Sequence, residues 1–308
     1  MLCVFSPRPL ARSQSATPQL VIIDTDIGDD LDDAFALGLA LESPELKILG
    51  VTTTYGQTHL RAELVSRFLQ ATGHPEIPIA AGEETKHSNE MTQAAYAEQY
   101  AQRGDKARIL AQPAAEFLLE QIRTHPGEIT LIAIGPLDNV GAAIDRDPAT
   151  FRKLKRVVMM GGAIYRGYDT KDGQVKKEPD PEWNILCDVT SAQKLLASGV
   201  PIFMMPLDST QLHLDSTRRE EIFRDGTPLT DQLTLLYHEW GQPTPTLFDP
   251  MAVAYAIRPG LCPVTPLHLS VDDKGYTRVT PGTPNVEACL RSDPKEFFDF
   301  IMPRLLRK

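Results

Sequence analysis

Six carboxylates fall within ten residues in the run Asp24-Thr-Asp-Ile-Gly-Asp-Asp-Leu-Asp-Asp33. The run follows Leu20-Val-Ile-Ile23, a short apolar stretch that suits a strand buried on both faces. Like charges packed that closely need a positive counterpart, or several of them must take up protons. One or two aspartates here would read as a solvated loop and an acidic helix start. Six at the end of a buried strand point instead to a hard cation with oxygen ligands, Ca²⁺ or Mg²⁺. In an open α/β sheet, ligands bind beyond the carboxyl ends of the strands, where this run lies. An EF-hand counted from Asp24 fails: its fifth, sixth and twelfth positions hold Gly28, Asp29 and Phe35, where an oxygen ligand, a glycine and an acid are required.

The elements that would position these acids follow from spacing. Asp32 to Leu41 reads as a helix, with Ala34, Leu37 and Leu41 on one side and two acids in its first turn. Residues 46–54 form a second β-rich run, and 60–72 have helical spacing closed by Gly73 as a C-cap residue. Such a βαβα opening implies parallel strands. The rhythm resumes with a helix at 113–123, strands at 129–134 and 156–160, a helix at 189–198 and a strand at 201–205. Two long polar segments, 82–108 and 165–181, read as functional lids or flexible edges. The expected fold is α/β: one domain over 20–308, with a mainly parallel open sheet flanked by helices. Residues 1–19 read as a disordered tail or a signal-peptide remnant.

Composition narrows the partners. The 308 residues carry 41 acidic and 31 basic side chains, a net charge of -10. Non-specific nucleic-acid affinity comes from Lys and Arg neutralising phosphates, so a nucleic-acid partner is not expected. No apolar run is long enough to span a bilayer, so neither is a membrane. Cys3, Cys187, Cys262 and Cys289 form no CxxC pair, which argues against a zinc or redox motif, and nothing demands a disulfide framework. A cytoplasmic location is expected, or a periplasmic or secreted one if residues 1–19 derive from a signal peptide.

Two families place Asp-x-Asp at the end of an apolar strand. Haloacid-dehalogenase-type phosphatases do so, and Asp24 and Asp26 fit, but their further Ser/Thr, Lys and acidic motifs cannot be placed. The run Val21-Ile-Ile-Asp-Thr-Asp-x-Gly, closing with Asp32-Asp33-Ala-Phe-Ala-Leu37, resembles the N-terminal signature of the inosine/uridine-preferring nucleoside hydrolases. The resemblance continues through Gly50-Val-Thr-Thr-Thr-Tyr-Gly56, Gly135-Pro-Leu-Asp-Asn139 and Met159-Met-Gly-Gly-Ala163. It extends to Pro181-Glu-Trp-Asn184, Leu207-Asp-Ser-Thr210 and Asp249-Pro-Met-Ala252, in the family's order over most of the chain.

The resemblance implies a calcium-dependent enzyme of ribonucleoside catabolism and salvage. It would cleave the N-glycosidic bond of a small-molecule ribonucleoside to free base and ribose, as a homodimer or homotetramer. On the matching positions Asp26, Asp33 and Asp249, with the backbone carbonyl of Ile134, would hold Ca²⁺. Asp26 would also accept the proton of the attacking water held by the ion. Asp32, Glu182 and Asn184 match positions that hydrogen-bond the sugar. Gln57, Trp183 and Phe248 fall at further substrate-binding positions, Trp183 as a base-stacking platform or as a core wall.

Several residues depart from the family pattern. The first motif usually has one residue between the Gly and the Asp-Asp pair; here Asp29, Asp30 and Leu31 intervene. That leaves open which of Asp30, Asp32 and Asp33 fills each metal and sugar role. Phe248 stands where many members carry a base-protonating His, and Gln57 replaces an Asn. The family's His-Gly lid motif is missing, His87 being the only His in 82–108. Help for the leaving base would then come from His238, Tyr237, Trp240, solvent or stacking, although His238 reads better as a surface residue of a helix. A catalytically weak calcium-dependent nucleoside- or ribose-binding protein is the alternative function.

Overall fold

The structure is a computed structural model that describes residues 17–86, 91–101, 108–170 and 174–306. Residues 1–16 of the expected tail, and His87, lie outside the described residues.

The chain alternates strand and helix through its first half: β1 (Gln19–Thr25), α1 (Asp32–Leu41), β2 (Leu46–Thr53), α2 (Thr58–Ala71), β3 (Ile79–Ala81), α3 (Ala94–Ala101), β4 (Ile109–Leu110), α4 (Ala114–Thr124), β5 (Thr130–Ala133) and α5 (Asp138–Arg146). There follow α6 (Pro148–Phe151), β6 (Arg156–Met160), α7 (Trp183–Cys187), α8 (Val189–Ala197), β7 (Ile202–Met205) and α9 (Leu207–Thr210). The C-terminal part adds α10 (Ser216–Asp225), α11 (Pro228–Trp240), α12 (Pro250–Ile257), β8 (Val264–Leu267), β9 (Leu269–Val271), β10 (Thr277–Val279), β11 (Val286–Cys289) and α13 (Pro294–Leu305).

Nine strands form the main sheet in the order β4-β3-β2-β1-β5-β6-β7-β11-β8. Every pairing in it is parallel except that of β8 with β11 at one edge. Strand order reverses direction between β1 and β5, the topological switch point where such sheets bind ligands. β1 stays there because its apolar residues face both layers. Val21 and Ile23 join one core with α1, α12 and α13, whereas Ile22 joins a second with α4 and α8. A strand buried on both faces reads as a continuous apolar run, which explains Leu20 to Ile23.

Helix α1 and strand β6 match their expected bounds, and Gly73 adopts φ +86° just past α2 as its C-cap role requires. Helix α3 lies inside the 82–108 segment, which spacing alone read as a lid. The absence of a disulfide framework is corrected: Cys262 and Cys289 form a disulfide. Antiparallel pairing of β8 and β11 sets Cys289 opposite Val264, which brings the two cysteines to a Cα–Cα distance of 5.6 Å. That is an ordinary bridging distance. Cys187 is a free thiol.

Candidate active site

The acidic run turns sharply where β1 ends. Gly28 takes φ +122°, which a residue with a Cβ rarely adopts, and a Cβ there would run into Met91. The chain then enters α1, whose first two residues are Asp32 and Asp33. Asp249 is the N-cap residue of α12. Two helix N-termini therefore converge on these acids, and their dipoles favour the ionised carboxylates. Oxygens of Asp32, Asp33 and Asp249 all lie within 4.8 Å of one another, and all three residues are buried. Thr25 Oγ1 donates to Asp33 at 2.5 Å, and the Asp249 N–H donates to Asp32 at 3.3 Å.

Asp26 lies beside this trio in a cleft of about 360 Å³ that also takes in Ile134, Glu182 and Asn184. Gly135 leaves room for it: a Cβ at Gly135 would come within 2.7 Å of Asp26 Oδ1. Glu182 caps α7, accepting from the N–H groups of Asn184 at 3.0 Å and Ile185 at 3.2 Å, and from Gly162 at 2.8 Å. Asn184 Nδ2 donates to the carbonyls of Ile134 and Met160, each at 3.2 Å. The rim is aromatic: Trp183, Tyr168, Phe248 and Trp240 line it. Tyr168 meets Phe248 edge-on at 6.1 Å, and its hydroxyl accepts from the Trp183 N–H at 2.9 Å.

Behind the cleft, Asp24 accepts from Thr52 at 2.5 Å and Asn139 at 2.7 Å. Burial still pushes its carboxyl up to about 7. Burial likewise pushes Asp26 up to about 7, against the pull of the Arg61 guanidinium. Asp32, Asp33 and Asp249 stand well above the usual carboxylate range, through burial first and then a neighbouring carboxylate, Asp30 for Asp32, Asp26 for Asp33 and Asp32 for Asp249. Burial also raises Glu182, which its backbone donors partly offset. Buried oxygen donors that repel one another are the ligand set of a hard divalent cation rather than of zinc, so Asp32, Asp33, Asp249, Asp26 and the Ile134 carbonyl fit Ca²⁺ or Mg²⁺.

The sequence model described as inosine-uridine preferring nucleoside hydrolase matches residues 21–299. The chain belongs to that family. Among nucleoside hydrolase relatives, a pyrimidine-specific ribonucleoside hydrolase RihA of Citrobacter koseri is 30% identical over 92% of this chain and 97% of its own. An uncharacterised Schizosaccharomyces pombe protein is 30% identical over 93% of this chain and 99% of its own. A plant nucleoside hydrolase structure superposes with a TM-score of 0.81 at 24% identity, covering 95% of this chain and all of that one (100%). The structure of a purine-preferring ribonucleoside hydrolase from Gardnerella vaginalis does so with a TM-score of 0.74 at 24% identity, covering 94% and 98%. Both likenesses show the nucleoside hydrolase fold: one α/β domain with a mostly parallel sheet flanked by helices.

Within this nucleoside hydrolase, nine of the ten residues singled out from sequence line the cleft: Asp26, Asp32, Asp33, Ile134, Glu182, Trp183, Asn184, Phe248 and Asp249. Gln57 does not; it is exposed at the start of α2, outside the lining residues. The compact trio contains Asp32, to which the family register gives a sugar role, and Asp26 stands beside it. Of the groups considered for the leaving base, Trp240 reaches the cleft, whereas His238 is exposed and stacks on Phe223 at 5.9 Å. Tyr237 donates to the Pro243 carbonyl at 3.2 Å. Sequence reasoning missed Tyr168, which sits in the 165–181 segment and had no signal beyond being aromatic in a lid. It also missed Arg61, an ordinary-looking helix residue that proves fully buried. Among the described residues, no helix is long and apolar enough to cross a membrane.

Proposed function

We propose that this chain is a calcium-dependent nucleoside N-ribohydrolase that releases free base and ribose. The observation that carries the reading is the juxtaposition, in one cleft at the switch point, of buried Asp26, the Asp32/Asp33/Asp249 trio and the buried polar pair Glu182 and Asn184. Ca²⁺ supplies Lewis-acid polarisation of the attacking water and a seat for ribose hydroxyls when bound. Asp33, Asp249, Asp26 and the Ile134 carbonyl would hold it, with Asp32 close enough to share that duty or to take a sugar hydroxyl. Asp26, beside the trio in the cleft, would accept the attacking water's proton as general base. Glu182 and Asn184 orient the sugar, and the surrounding carboxylates favour the positive charge that develops on the ribose ring as the bond to the base breaks.

The departing base meets an aromatic wall of Trp183, Tyr168, Phe248 and Trp240. Among the described lining residues there is no histidine, so stacking and solvent carry the leaving group. Bases that depart without strong protonation, purines among them, are the preferred substrates. The protein acts as a homodimer or homotetramer, which light scattering on the purified chain checks. As to compartment, the Cys262–Cys289 disulfide favours the periplasmic or secreted reading over the cytoplasmic one, since thiols stay reduced in most cytosols. Thiol labelling of the protein taken from its native compartment decides between them.

The test of the activity is ribose release from purine and pyrimidine ribonucleosides and from p-nitrophenyl riboside, with EDTA and after calcium is restored. Release that depends on calcium supports the hydrolase. Stoichiometric calcium binding without release from any substrate favours a nucleoside- or ribose-binding protein instead.

A further inference from the structure

Arg61, in the first turn of α2, is the bulkiest fully buried side chain among the described residues. A buried guanidinium must find partners for its forked donors, and those it finds here are specific. Nε donates to the Tyr55 carbonyl at 2.8 Å. Nη1 donates to the Asp26 carbonyl and to the Ile27 carbonyl, the latter at 3.1 Å. Nη2 pairs with the Asp29 carboxylate at 2.8 Å. Three of its four contacts are thus main-chain carbonyls, so the side chain fixes backbone as well as charge.

The rest of the acidic loop is fastened from the opposite side. The Gln93 N–H donates to the Gly28 carbonyl at 3.0 Å, Thr92 Oγ1 to the Asp29 carbonyl at 2.7 Å, and Gln93 Nε2 to the Asp30 carbonyl at 2.8 Å. Five consecutive carbonyls, Asp26 to Asp30, are therefore held by donors outside the loop. Main-chain oxygens so occupied fix the path of the loop, whose Asp26, Asp29 and Asp30 line the cleft. Tyr55, held at φ +61° in the left-handed region, is tied to the same guanidinium, and its ring meets Trp183 edge-on at 5.9 Å. One residue thereby joins the loop to the wall of the cleft.

We propose that Arg61 is the positioning residue of this site: by fastening the Asp26 and Ile27 carbonyls and the Asp29 carboxylate, it presets the loop so that Asp26 stands beside the Asp32/Asp33/Asp249 trio before a cation arrives. The proposal rests on the hydrolase reading above. Charge alone does not suffice for the role, because a planar fork spans acceptors that a single ammonium cannot.

Calcium titration calorimetry on the EDTA-stripped full-length chain, with kcat and KM for inosine, tests it on wild type and Arg61→Lys. The lysine keeps the charge and loses the fork. The expected result is calcium affinity and kcat each lowered about tenfold or more, as for other residues that orient metal ligands, with KM for the nucleoside little changed. A folded Arg61→Lys protein with wild-type calcium affinity and kcat overturns the proposal. Should Arg61→Lys not fold, Asp29→Asn, which keeps the shape and breaks the ion pair, is expected to weaken calcium binding in the same direction, and no change overturns it. A wild-type chain that neither binds calcium nor releases ribose removes the hydrolase reading, and this proposal with it.

Discussion

At Phe248 a hydrocarbon ring lines the cleft, packed edge-on against Tyr168, where the proposed mechanism puts the departing base. Phenylalanine offers no proton, so Phe248→His is expected to raise turnover of poor-leaving-group nucleosides by up to about 10²-fold, the lower end of general acid catalysis. Turnover of p-nitrophenyl riboside, whose leaving group needs no proton, should stay constant, and comparison of the two rates checks the role. That acids gather at the end of β1 was legible in the sequence, because six carboxylates crowd behind a buried strand; five of them line the cleft, whereas Asp24 lies behind it. Their division of labour was not legible. The two extra residues between Gly28 and Asp32 shift the register, and only the folded loop brings Asp32 into contact range of Asp33 and Asp249. Gln57 shows the converse: its place in a motif does not turn its side chain into the cleft.

The element that matters most is the turn from β1 into α1. Gly28→Ala forces a Cβ onto a backbone at φ +122° and into Met91, and is expected to destabilise the protein by about 1–3 kcal/mol, read from urea unfolding. The same turn concentrates carboxyls raised by burial, Asp26 to about 7, with Asp24 on β1 also at about 7. A carboxyl with a raised pKa binds its proton more tightly folded than unfolded. Between roughly pH 4 and pH 7 the folded chain therefore holds more protons, and its stability falls as pH rises through that window. In EDTA the melting temperature should drop by several degrees from about pH 5 to about pH 8, and calcium should restore more of it at the higher pH. A melting temperature that rises across this window in EDTA would contradict the burial of these acids. Strands β1, β2 and β6 and helix α1 were legible because apolar runs and 3.6-residue spacing mark them directly. Helix α3 was hidden by polar flanks, and the short strands β8 to β11 depend on pairing that periodicity does not encode.

For the molecule as a whole, the parallel sheet sets the site at its reversal point, while the far edge is closed by an antiparallel pair and a disulfide. Residues 262 and 289 are 27 apart, so the loop-entropy model assigns the bridge about 3–4 kcal/mol, and unfolding in urea with and without reductant should differ by that order. Catalysis should survive reduction at moderate temperature, because neither cysteine lines the cleft. A bridge between such distant positions was not legible among four scattered cysteines, since connectivity is a property of the folded sheet. Whether Asp26 and a cation beside the Asp32/Asp33/Asp249 trio carry hydrolysis is decided by ribose release from inosine for wild type and Asp26→Asn, each in EDTA and in restored calcium. Wild type should release ribose only with calcium, and Asp26→Asn should lose about 10²–10⁴-fold even with calcium saturating. Equal rates for the two proteins, or full release in EDTA, would contradict that assignment.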